Sequence, residues 1–238
     1  MANVPRIQTP NLLRHVMARG NGRMTIFKDD RDYRQFIQLL RQAIERYKLE
    51  CWNYCAMPNH YHVTIRPLQP NLSAALRQLN GRYAKYWNRR YSSVGHVFQG
   101  RFKAQIVQDD GYALTLSRYV ALNPVRAQLV ERPEDWRWSS YAATIGLRPT
   151  PSFLATDAAL ALFGDAERAT LRQRFTSFVL AGCEDVEDDR IRSSDVILGG
   201  PSEWSAGPST PPFVPAGPAP EAAGHAPDRR SRSRDGAA

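Results

Sequence analysis

Met57-Pro58-Asn59-His60-Tyr61-His62-Val63-Thr64-Ile65 decides how the chain is read. A Pro-Asn pair opens it and aromatic and β-branched residues follow, which predicts a turn leading into a short strand. Side chains alternate along a strand with a period of two. His60 and His62 therefore share one face, and Tyr61 and Val63 share the other. Two neutral imidazoles projecting in parallel from a rigid strand make a ready pair of metal ligands. The plain alternative is two surface or core histidines that happen to be neighbours, and an isolated His-x-His does not separate the two.

Working outward, Cys51 to Ala56 reads as a strand joined to the histidine strand through Pro58-Asn59, a connection tight enough to imply an antiparallel hairpin. Earlier, Leu12 to Ala18 is a first strand, ended by the loop Arg19-Gly20-Asn21-Gly22-Arg23. Asp29 and Asp30 are N-cap candidates for a helix from about Arg31 to Lys48, which lines up Tyr33, Phe36, Ile37, Leu40, Ile44 and Tyr47 on one face. After the histidines, a helix from about Ser73 to Arg89 lines up Leu72, Leu76, Leu79, Tyr83 and Trp87, and Arg101 to Val107 is a fourth strand. The order β-α-β-β-α-β is the split-βαβ, ferredoxin-like arrangement, an α+β fold with both helices on one face of a four-stranded antiparallel sheet. With Tyr61 and Val63 beneath those helices, His60 and His62 are expected on the opposite, open face, the side a substrate can reach.

A third helix is predicted over about Tyr112 to Asn123, with Asp109-Asp110-Gly111 as cap and hinge and Pro124 as its stop. Tyr119 and Asn123 lie four apart on one side of it, with Tyr112 two turns back. Folded over the open sheet face, this helix brings a phenol and an amide oxygen toward the imidazoles. Two histidine nitrogens and one asparagine oxygen, with positions left for water and a phosphate oxygen, suit Mg²⁺ or Mn²⁺ better than a closed zinc site. Tyr119 is the candidate nucleophile, with Tyr112 its rival, and Asn123 has the alternative of only capping the helix. Neither His15 nor His96 is expected to be a ligand.

The chain has 238 residues, a formal net charge of +9 and a pI near 9.8, so an anionic partner is expected, nucleic acid before a membrane surface. No stretch is long and apolar enough to span a bilayer, and the first residues lack the apolar core of a signal peptide, so a cytoplasmic location is expected. Three cysteines fit reduced thiols, with Cys51 and Cys55 in buried packing. Candidate phosphate contacts are Arg19 and Arg23 in the first loop, Arg82, Lys85 and Arg89 on the second helix, Arg101 and Lys103 at the fourth strand, and Arg118 and Arg126 on either side of Tyr119 and Asn123. A solvated surface is the alternative for each. Trp136-Arg137-Trp138 is expected to pack back on the domain. Residues 1–149 read as the catalytic domain and 150–183 as a helical extension, with helices from Thr156-Asp157 to Phe163 and from about Ala166 to Leu180. Residues 184–238 read as a disordered tail, acidic and then rich in Pro, Gly, Ala and Arg.

Taken together and in order, RHVMARGNGRMTIF, MPNHYHVTI, YWNRRYSSVGHVFQGRFKAQIV, SRYVALNPVRAQLV and WRWSSYAATIG resemble the REP-associated tyrosine transposases, within the single-tyrosine HUH transposase superfamily of bacterial insertion sequences. The resemblance spans about Leu12 to Gly146. It implies a metal-dependent endonuclease and strand transferase acting on single-stranded DNA at hairpin-forming repetitive palindromic sequences. On that resemblance His60 and His62 match the histidine pair, Tyr119 the nucleophile and Asn123 the third ligand of Mg²⁺ or Mn²⁺. The implied product is a 5′-phosphotyrosine with a free 3′-hydroxyl, formed by a monomer or a homodimer. Two competing readings remain. One is a non-catalytic RNA- or DNA-binding module of the same topology, which stacks bases on sheet aromatics missing here. The other is a metal-dependent hydrolase that uses water in place of tyrosine.

Overall fold

The computed structural model describes residues 9–183, so the acidic run and the Pro- and Arg-rich tail expected at 184–238 lie outside the described residues. Four strands, β1 (Arg14–Arg19), β2 (Leu49–Met57), β3 (His60–Pro67) and β4 (Lys103–Ile106), form one antiparallel sheet in the order β2-β3-β1-β4. Helix α1 (Asp30–Tyr47) connects β1 to β2, and α2 (Leu72–Arg90) connects β3 to β4. This is the expected ferredoxin-like α+β arrangement. Helix α3 (Asp110–Arg126) follows β4, then the short α4 (Tyr141–Thr144), α5 (Thr156–Leu160) and α6 (Arg168–Ala181).

Pro58-Asn59 turns β2 into β3, with Met57 opposite His60. The alternation then holds: Tyr61, Val63 and Ile65 are fully buried in one core with Phe36 and Leu40 of α1 and Leu76, Leu79 and Tyr83 of α2. Asp29 caps α1 by accepting the backbone N–H groups of Arg31 and Asp32. Sequence reading did not foresee the ionic tie between these helices. The buried Asp32 carboxylate accepts the Tyr86 and Tyr91 hydroxyls at 2.9 and 2.7 Å, the Lys28 backbone N–H at 2.8 Å, and Arg90, which also pairs with Asp29. Cys51 and Cys55 are buried thiols whose pKa values burial raises, consistent with packing roles.

The second sheet face is not open. Leu116 and Val120 of α3 pack on it against Met17, Trp52, Cys55 and Met57. A polar chain pins the contact: Asn53 donates to the Ser117 hydroxyl at 3.1 Å and accepts from the Thr64 hydroxyl at 2.6 Å, all three buried. The other side of α3 is covered by the extension, where Phe163, Phe175 and Val179 meet Leu114, Ala121 and Leu122. Nor does α3 stop before Pro124. That buried proline lies inside the helix, which carries on because Ala127 and Leu129 donate backbone bonds to Asn123 and Pro124 at 3.0 and 2.9 Å. As expected, the Trp136–Trp138 run packs back: Trp138 stacks on Tyr33 at 4.6 Å and the Trp136 indole donates to the Ala56 carbonyl at 2.9 Å.

Removing one partner of a buried charge pair strands the other. We therefore expect Asp32→Ala to lower unfolding free energy by about 3 kcal/mol, whereas Asp30→Ala, at an exposed pair, costs less than about 1 kcal/mol. Urea denaturation of the two variants checks the contrast.

Candidate active site

Strand β1 lies between β3 and β4, so His15, Met17 and Arg19 of β1 share the α3-covered face with His60, His62 and Thr64 of β3 and with Lys103 and Gln105 of β4. In the pairing register Met17 faces His62, Arg19 faces His60, and Lys103 faces Met17. One small area of sheet thus carries three imidazoles and two cations.

His62 is 1% exposed, and His15, also 1% exposed, stacks on it with centroids 5.0 Å apart. His15 Nε2 and His62 Nδ1 are hydrogen-bonded at 2.8 Å. His62 Nε2 is buried and has no partner. His60, half-buried and edge-on to His62 at 4.9 Å, donates from Nδ1 to the Asn59 amide oxygen at 2.6 Å, which leaves its Nε2 as a lone pair. Helix α3 sets the half-buried Tyr119 ring edge-on to His62 at 5.4 Å and to His15 at 6.2 Å. One turn on, Asn123 donates from Nδ2 to the Tyr119 carbonyl at 2.9 Å, which leaves its side-chain oxygen as an acceptor. Tyr112 is also half-buried in the same apolar cluster.

Burial sets the protonation states. It holds His15 at about 4 and, helped by the charge of Arg19, His60 at about 4 as well. It holds His62 well below the usual imidazole value, with His60, His15 and Arg19 adding to the effect. All three rings are therefore neutral near pH 7, the form in which an imidazole binds a metal. Burial raises the Tyr119 phenol, opposed by an Asn123 side-chain hydrogen bond and by the charges of Arg126 and Arg19.

Among the described residues no three His, Cys, Asp or Glu side chains converge as a metal cluster, so a histidine-pair site needs a third donor of another kind. The orphaned Nε2 of His62 fits the role of a metal-binding nitrogen: its other nitrogen is held by His15, as the second nitrogen of a ligating histidine usually is held. His15 is the contact of the histidine pair that sequence reading did not foresee. The strand order reveals it: β1 lies beside β3, and His15 falls two residues from Met17, the cross-strand partner of His62.

The expected phosphate contacts divide into groups. Arg19, Arg23, Arg101 and Lys103 line one cavity of about 330 Å³ beside His60. Arg126 is exposed near Tyr119. Arg118 lies under α6, its guanidinium 4.6 Å from the Phe178 ring centre. Arg82, Lys85 and Arg89 are exposed on α2, behind the sheet and away from the histidines, and Arg82 donates to Gln42 at 2.7 Å.

Residues 8–123, which carry every strand and the Tyr119 helix, match the model of the IS200-like transposases. Over this stretch the chain is similar to that transposase family. A Haemophilus influenzae protein named as a REP-associated tyrosine transposase is 25% identical over 118 residues, covering 45% of this chain and 67% of the relative. The solved structure of a REP-associated tyrosine transposase bound to a REP hairpin superposes with a TM-score of 0.52 at 17% identity, over 63% of this chain and 89% of that one, and so shares the transposase domain's fold. A Deinococcus radiodurans structure assigned as a transposase gives a TM-score of 0.36 at 16% identity, over 50% of this chain and 95% of that one. No helix among the described residues is long and apolar enough to cross a membrane.

The three depressed imidazoles give the domain a pH signature. For a base whose folded pKa lies below its unfolded value, the unfolded chain takes up protons that the folded one excludes. Stability is then fullest above about 6.5 and is lost as pH falls from there toward about 4. We expect the Tm in chelator to fall between about pH 7 and about pH 4.5, and to fall less steeply in His15→Leu, as read by differential scanning calorimetry.

Proposed function

We propose that this transposase domain cleaves and rejoins single-stranded DNA at hairpin-forming sequences through a covalent bond to Tyr119. The observation that carries the reading is the Tyr119 ring set edge-on to His62, whose buried Nε2 has no partner. His60 and His62 through Nε2, and Asn123 through its amide oxygen, would hold Mg²⁺ or Mn²⁺. When bound, such an ion offsets the negative charge that builds on a phosphate oxygen in the transition state. The Tyr119 oxygen attacks phosphorus, the bond from phosphorus to the 3′-oxygen breaks, and the phenol proton leaves as the 3′-oxygen gains one. The products are a 5′-phosphotyrosine and a free 3′-hydroxyl. The phosphotyrosyl link keeps the energy of the broken phosphodiester, so rejoining needs no nucleotide triphosphate. Burial that raises the phenol works against attack, and Arg126 and Arg19, with the Asn123 hydrogen bond, oppose it.

The related protein named for its REP hairpin supports hairpin-bearing DNA as substrate, and the lining of Arg19, Arg23, Arg101 and Lys103 supports an anionic strand beside the histidines. The same helix that carries Tyr119 lies on the sheet face where a base-stacking module would bind its ligand, which argues against the non-catalytic reading. Tyr119 faces the His62 of its own chain, which supports a site completed within one chain.

With hairpin-bearing single-stranded DNA and Mn²⁺, we expect the wild type to form a protein–DNA adduct visible by intact mass, and Tyr119→Phe to lose both adduct and cleavage. Cleavage that persists in Tyr119→Phe would assign the reaction to water instead. His60→Ala and His62→Ala are expected to lose Mn²⁺-dependent activity with unchanged circular dichroism. His15→Leu, which removes the hydrogen bond that orients His62, is expected to weaken Mn²⁺ binding by roughly 10–100-fold in calorimetric titration.

A further inference from the structure

Three side chains of α3 fall on one stripe: Tyr119, Asn123 and Arg126, at i, i+4 and i+7. Resting on the DNA-processing reading above, we propose that Arg126 is a further catalytic residue, whose guanidinium donates to the non-bridging oxygens of the phosphate that Tyr119 attacks.

The continuation of the helix places it. Were α3 to stop before Pro124, Arg126 would lie in a turn with no fixed relation to Tyr119. Backbone bonds from Ala127 to Asn123 and from Leu129 to Pro124 keep residues 124–126 helical, and the left-handed Gln128, at φ 55°, comes only afterwards. The seven-residue step sets the Arg126 Cα about 10 Å along the axis from that of Tyr119, on nearly the same bearing. A helical side chain leans back over the turn before its own Cα. Arg126 therefore reaches toward the turn of Asn123. An Asn123 side-chain hydrogen bond and the charge of Arg126 both act on the Tyr119 phenol. Phenol and guanidinium thus approach Asn123 from opposite sides.

The charge of Arg126 is uncommitted. The residue is exposed and in no ion pair among the described residues, and α3 carries no Asp or Glu after Asp110. Arg118, next to Tyr119 in sequence, is no rival, because it lies under α6 against Phe178. A cation in the last turn also suits the helix dipole, a role that affects stability and not the rate of chemistry.

Arginine suits the reaction. As the Tyr119 oxygen bonds to phosphorus and the bond to the 3′-oxygen breaks, negative charge spreads over the non-bridging oxygens. A planar guanidinium donates two N–H groups to two of them at once. It stays protonated throughout and so moves no proton. The same contact holds the 5′-phosphotyrosine ready for rejoining.

The test uses the full chain with hairpin-bearing single-stranded DNA and Mn²⁺, in single-turnover assays at saturating DNA. We expect Arg126→Ala to slow adduct formation roughly 100-fold or more, the scale of one lost donor to a developing charge. Arg126→Lys, a point charge without the paired donors, should fall between the two. Circular dichroism, Tm and Mn²⁺ binding should stay at their wild-type values. A methylphosphonate at the scissile linkage, in which a methyl group replaces one non-bridging oxygen and removes the charge, should close most of the gap between Arg126→Ala and wild type. A wild-type rate in Arg126→Ala would overturn the proposal. So would a loss confined to DNA affinity, or an equal loss on the methylphosphonate. A wild type that forms no Tyr119 adduct would instead sink the DNA-processing reading, and this assignment with it.

Discussion

The hydrogen bond between His15 Nε2 and His62 Nδ1, 2.8 Å long and sealed under α3, fixes the chemistry of this sheet face. A buried imidazole normally has both nitrogens satisfied, because leaving one without a partner in an apolar setting is unfavourable. Here one nitrogen of each ring is engaged by the other ring and the second is left over. The contact holds the His62 plane, and with it the direction of the free Nε2. Burial also keeps the pair uncharged. Desolvation, which is unfavourable for folding at low pH, is what keeps these rings uncharged near neutrality.

The two faces of the sheet are built by different physics. Between β3 and the first two helices the filling is aromatic and aliphatic, and the one charged group, Asp32, is fully satisfied by hydroxyls, a backbone N–H and Arg90. Trp87 Nε1, in the same cluster, is a buried polar atom without a partner. On the α3 side, polar groups are interleaved with the apolar contacts, and several lack partners: one nitrogen on each of two histidines and Arg19 Nε. Helix α3 is held from below by Asn53 and Ser117 and from above by Phe163, Phe175 and Val179. Tyr119 is therefore placed by packing on both sides of its helix, and its distance to His62 is a property of the fold and not of a free-swinging arm.

The strands and the first two helices were legible because their periodicities are clean, and the boundaries move by only a few residues. β1 starts at Arg14 and not Leu12, and β4 is cut to Lys103–Ile106. The ranges of α1 and α2 shift by one residue at their ends. Three features were not legible. Pro124 reads as a stop, yet burial and the backbone bonds that follow it carry the helix through to Arg126. His15 reads as an isolated histidine until the strand order sets it beside His62. The arginines and lysines look alike in sequence, but Arg118 is engaged under Phe178, Arg82 lies behind the sheet, and Arg19 and Lys103 come together only through the pairing of β1 with β4.

By itself the sequence determined the alternation along His60-Tyr61-His62-Val63, the order of strands and helices, and the i, i+4 relation of Tyr119 to Asn123. Each of these is local, set by the two-residue period of a strand or the 3.6-residue period of a helix. Only the tertiary structure decided that the face bearing the histidines is covered, that His15 orients His62, and that four cations crowd one cavity beside them. Those facts join residues some forty to ninety positions apart, and nothing short of the packed sheet and the helix laid across it brings such residues within reach of one another.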